Sequence, residues 1–64
     1  MNLEDKAYLA TLRVKKVHQE IELVDYARVM KHYDPDIPAF EIILKEVERI
    51  TNNISELDKL IAKV

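Results

Sequence analysis

The chain contains no glycine, and its two prolines, Pro35 and Pro38, stand within four residues of each other. Glycine supplies the positive-φ positions of most tight turns and of phosphate-cradling loops, so its absence removes both. A single break, Asp34-Pro35-Asp36-Ile37-Pro38, therefore separates two long unpunctuated stretches. Pro35 holds Asp34 in extended geometry and closes any helix before it. Pro38 is tolerated in the first turn of a helix after it, where the missing N–H costs nothing. The spacing predicts a helix over 3–33, a turn over 34–37 and a helix over 38–63, in one domain covering 1–64. So short a connection makes the two helices antiparallel neighbours. The fold class is all-α: an antiparallel two-helix hairpin with coiled-coil-like heptads.

The first helix carries apolar seams on nearly opposite faces. One, formed by Leu3, Ala7, Ala10, Val14, Val17, Ile21 and Val24, steps by four and three without a miss. The other, formed by Leu9, Leu12, Leu23, Tyr26, Met30 and Tyr33, keeps the same step but is interrupted at Lys16 and Gln19. The second helix has one seam: Phe40, Ile43, Val47, Ile50, Ile54, Leu57, Ile61 and Val64. In an antiparallel hairpin, facing residues have position numbers with a constant sum. Pairing the unbroken seam with the second helix gives 67 or 68 from Val24 with Ile43 through to Leu3 with Val64, and brings Ala27 to Phe40. On that register the unbroken seam faces inward. The interrupted one faces outward, as two patches about a polar waist.

Local signals fill in the detail. Asn2 is placed to cap the first helix by accepting from the Asp5 N–H, with Glu4 and Asp5 at the positive end of the helix dipole. Asp36, or failing it Asp34, is the expected cap of the second helix. Glu41 with Lys45 and Glu46 with Arg49 have ion-pair spacing. Thr51, Asn52 and Asn53 form helices poorly but fall between Ile50 and Ile54 without disturbing the heptad phase, so they are expected to face water.

Composition narrows the function. With 64 residues, one core seldom supplies more than about 3–5 kcal/mol. Without cysteine, neither disulfides nor thiolate-bound zinc can add to it. A second copy is the expected supplement, completing a four-helix bundle, with docking of a different protein on helix one as the other possibility. Ten basic and twelve acidic residues are mixed along the chain, giving a net charge of −2 and no basic footprint for nucleic acid. No apolar run approaches the roughly 18 residues that span a bilayer, and no signal core opens the chain. The reading is of a soluble, cytoplasmic protein.

Catalysis and cofactor binding have little to work with. Ser55 has no histidine near it in the expected hairpin, and the carboxylates fall on solvated faces where nothing raises their pKa. His18 and His32 lie roughly 21 Å apart on one helix, too far to share a metal, and Asp34 and Asp36 beside His32 read as capping residues. No enzyme activity, metal or cofactor is expected. The sequence points to a small non-enzymatic interaction module, a regulator or adaptor. Its expected docking residues are the outward seam: Leu9, Leu12, Leu23, Tyr26, Met30 and Tyr33, enriched in tyrosine and methionine as interface cores are.

Three resemblances bear on alternatives. Ser55-Glu56-Leu57-Asp58-Lys59-Leu60-Ile61 resembles the signature segment of the small helical-hairpin phosphatases that act on sporulation response regulators, which implies a regulator of phosphoproteins using Asp58; the serine of that family falls here on Ile54. Pro35-Asp36-Ile37-Pro38 is similar to the turn of type III secretion needle subunits, which implies a secretion-apparatus subunit or its chaperone hairpin. The architecture also resembles the plasmid RNA-binding hairpin that dimerises into a four-helix bundle. Arg13, Lys15 and Lys16 would then be the phosphate contacts, diluted by Glu20 and Glu22.

Overall fold

The computed structural model describes residues 2–64 and folds them into two helices, α1 (Leu3–Met30) and α2 (Pro38–Lys63), with no strand among the described residues. The helices pack against each other as an antiparallel hairpin with Cα extents of 51 × 15 × 11 Å. The molecule is a rod two helices wide.

α1 begins as the sequence predicts: the Asn2 side chain accepts from the Asp5 N–H at 2.8 Å, with Glu4 and Asp5 in the first turn. It ends three residues short of the predicted Tyr33. The N–H groups of Lys31, His32 and Tyr33 donate to the carbonyls of Arg28, Val29 and Met30, so the last turn tightens to the 3₁₀ pattern as the chain approaches Pro35. α2 begins at Pro38 as predicted, but its cap is Ile37 and not Asp36. A proline drives the residue before it into extended geometry, and Ile37 has φ −86° and ψ 146° with no side-chain cap bond. The ring thus sets the helix boundary. Asp34 instead accepts from the Asp36 N–H at 2.9 Å, closing an Asx turn, while its carbonyl accepts from Ile37 at 3.1 Å.

The seam of α2 lies where the sequence puts it. Ile50 is fully buried, and Phe40, Ile43, Val47, Ile54, Leu57 and Ile61 are half-buried around it; Val64, at the terminus, is exposed. α1 is rotated by about half a turn from expectation. Its inward line is Leu9, Leu12, Lys16, Gln19, Leu23, Tyr26 and Met30, with Leu12 only 5% exposed. The register also differs. Lys16 pairs with Asp58, and Asn53 donates to Gln19 at 3.1 Å, giving position sums of 74 and 72 in place of 67 or 68. The chain reverses over 34–37 as predicted, and the centre of that turn corresponds to a sum of 71, closer to the observed register than to the expected one. On that register Ile50 comes level with Leu23 and not with Val17.

Two physical effects favour this face. Leucine, tyrosine and methionine remove more apolar surface from water than the alanines and valines of the unbroken seam, at roughly 25 cal/mol per Å². The polar waist is also matched from across the hairpin by Asn53 and Asp58, so no buried side-chain nitrogen or oxygen among the described residues lacks a partner. Asn53 is accordingly half-buried, not water-facing as its composition suggests. Thr51 turns its hydroxyl back to the Val47 carbonyl at 2.8 Å, which satisfies it within the helix.

Candidate docking surface

The rotation of α1 exchanges the meanings of its two faces. Of the six residues expected to dock a partner, Leu9, Leu12, Leu23, Tyr26 and Met30 are turned toward α2, and only Tyr33, in the connection, is exposed. The outward orientation assigned to those five is therefore corrected. They hold the hairpin together. What lies outside instead is the unbroken heptad: Val14 is 53% exposed, Val17 52%, Ile21 55% and Val24 50%, with Ala7 and Ala10 also exposed and Leu3 the most open of all. Around the helix axis the two lines are separated by roughly 160° at 100° per residue, so one helix cannot cover both.

The exposed line is neither flat nor isolated. Shallow depressions run along it, one lined by Ala10, Thr11, Val14, Lys15 and His18, another by Val17, Glu20, Ile21, Val24, Asp25 and Arg28. Such hollows between four or more helix side chains are what a knob from a facing helix fills. Charged residues border the line on both sides, Lys6, Arg13 and Glu20 on one edge and Glu4 and Asp25 on the other. α2 offers nothing comparable. Its apolar residues concentrate on the side facing α1, whereas those of α1 cancel around its axis. Ile42, Leu44 and Leu60 are exposed apolar side chains at the edges of α2, scattered singly.

Ionisable groups serve the scaffold. The Lys16 ammonium is held above its ordinary range first by its hydrogen bond to Asp58, against a smaller effect of desolvation, with the charges of Asp58 and Glu20 adding to it. Asp58, singled out by the phosphatase-like segment, is thereby committed across the hairpin. Arg49 donates from Nε and Nη2 to Glu46 at 3.1 and 2.8 Å, the i,i+3 pair that the spacing predicts, and that bond raises its pKa. The pair Glu41 with Lys45 does not form; Lys59 with Glu56, at 3.3 Å, does. No polar or charged residue among those described is buried, and no group of three or more histidine or acidic side chains is placed to hold a metal ion. No helix among the described residues is long and apolar enough to cross a membrane.

A separate hollow, where the two helices meet, is lined by Lys15, His18, Gln19, Glu22, Asn53, Glu56, Leu57 and Leu60. Gln19 and Asn53, bonded to each other across the hairpin, are among its lining, so it belongs to the packing of the hairpin. Set against models of protein families, against curated proteins and against solved structures, the chain matches none. The class it defines is that of an all-α hairpin of two packed helices, with one apolar face left open.

Proposed function

We propose that the chain is a non-enzymatic interaction module that works by docking the exposed face of α1 onto another helical surface, two hairpins together making a four-helix assembly. The observation that carries this reading is the unbroken heptad over residues 3–24, which stays open after the hairpin has closed its own core. The surface area supports it. The hairpin exposes 5017 Å², whereas a compact protein of its 7.5 kDa exposes about 4250 Å², an excess of roughly 770 Å². One partner of a standard protein–protein interface buries about 800 Å².

The test is substitution on this face. Val17→Glu combined with Ile21→Glu places two charges at the middle of the heptad without touching α2. Circular dichroism should report unchanged helix content at concentrations where sedimentation equilibrium shows the wild type associated and the variant monomeric. Association that survives both charges would show that the face is not the docking surface.

A further inference from the structure

Beyond Leu3 at its very start, the exposed face has a direction: its residues are small toward the beginning of α1 and larger toward the end. Ala7 and Ala10 lie toward the start of α1, Ile21 and Val24 toward its end. Two parallel copies in register would meet alanine on alanine at one end and Ile21 on Ile21 at the other, so the helix axes could not stay evenly spaced. Antiparallel copies combine the two ends. With position sums of 31, Ala7 meets Val24 of the second copy, Ala10 meets Ile21 and Val14 meets Val17, giving layers of similar volume over roughly 26 Å.

The charged borders choose the same arrangement independently. In coiled-coil packing, antiparallel helices bring each border against its own copy, whereas parallel helices bring opposite borders together. Antiparallel pairing sets Arg13 against Glu20 of the second copy, twice by symmetry, and Lys6 against Ala27. On the other border it sets Thr11 against His18 and, at the two ends, Glu4 against Asp25, a like-charged contact in open solvent that salt screens. Parallel pairing sets Arg13 against His18 and Glu20 against Asp25, with no attractive pair.

Resting on the docking role proposed above, we infer that the occupant of the face is a second copy of this chain, bound antiparallel through α1 with Arg13 and Glu20 paired across the two-fold axis. The two apolar lines of α1 stand nearly opposite, so α2 and the second α1 lie on either side of it. The four helices then form one flat layer in the order α2, α1, α1, α2, and not a square bundle, whose neighbours would need lines about 90° apart.

Because the chain has no cysteine, single introduced thiols report the direction. Ala10→Cys and Ile21→Cys, mixed and oxidised, should cross-link to each other while neither cross-links to itself, since antiparallel copies place like positions roughly 16 Å apart, beyond the reach of a disulfide. Glu20→Arg should weaken the dimer roughly tenfold by sedimentation, and Arg13→Glu with Glu20→Arg together should restore it. Glu20 also attracts Lys16 on its own helix, so helicity is measured for both variants. Self-cross-linking of either thiol variant, or tighter association of Glu20→Arg, would establish the parallel pair and overturn the inference while leaving the docking face in place. A wild type that stays folded and monomeric at high micromolar concentration would also overturn it, and the face would then serve a different protein.

Discussion

The two faces of α1 differ in regularity, and the less regular one holds the hairpin together. The inward face carries large side chains interrupted by Lys16 and Gln19; the outward face is an unbroken heptad that, after Leu3, consists of alanine and β-branched residues. Within one chain, a polar interruption can be answered by a specific residue on the neighbouring helix, as Asp58 and Asn53 answer these two. A regular pattern of small residues carries no such address. It suits a partner with the same repeat, and another copy of the same helix has that repeat.

Core substitution separates the faces most strongly. Ile50→Ala should cost about 2–5 kcal/mol, comparable to everything a core of this size supplies, and should abolish the helical signal of a dilute sample. Val17→Ala, on the open face, should leave that signal intact and change only the concentration at which the protein associates. If the two variants lost equal helicity, the distinction between the faces would collapse. The waist offers a finer comparison. Gln19→Leu or Asn53→Leu alone leaves a half-buried amide without its partner and should cost about 1 kcal/mol in urea denaturation, whereas the two together should be nearly neutral. Additive losses would mean that the bond contributes nothing to the choice of face. The smallest effect concerns Lys16. Its pKa is raised in the fold, so its contribution is complete below 10.5 and is lost as pH rises through the higher folded value. Unfolding followed from pH 9 upward should show a decline above 10.5 that is smaller in Lys16→Met.

The hairpin itself was legible in the chain. Two prolines in a glycine-free sequence can mark little else, and the starts of both helices and the single seam of α2 follow from local chemistry. The face that α1 turns inward was harder to read, because both candidates have helical spacing and a constant-sum register can be found for the wrong one. Bulk per position was the available signal: Leu9, Leu12, Leu23, Tyr26 and Met30 are larger on average than Ala7, Ala10 and their five aliphatic neighbours. Asn53 and Asp58, spaced along α2 to meet Gln19 and Lys16, were the other. The end of α1 differs from the sequence expectation for another reason. Residues 31–33 continue in tighter turns that sequence spacing does not distinguish from α-helix.

α2 sets a limit that α1 alone would not. A helix that is apolar on two sides can be stacked on both, and a layer of such helices has no natural edge. α2 is apolar on one side and charged on the other, so it serves as the outer margin of any layer in which it sits, as the polar-faced terminal units of repeat proteins do. Each chain brings one helix that can be extended and one that stops extension. Under the pairing proposed above, growth through the open face would end after a single step, because α2 would close the layer on both sides.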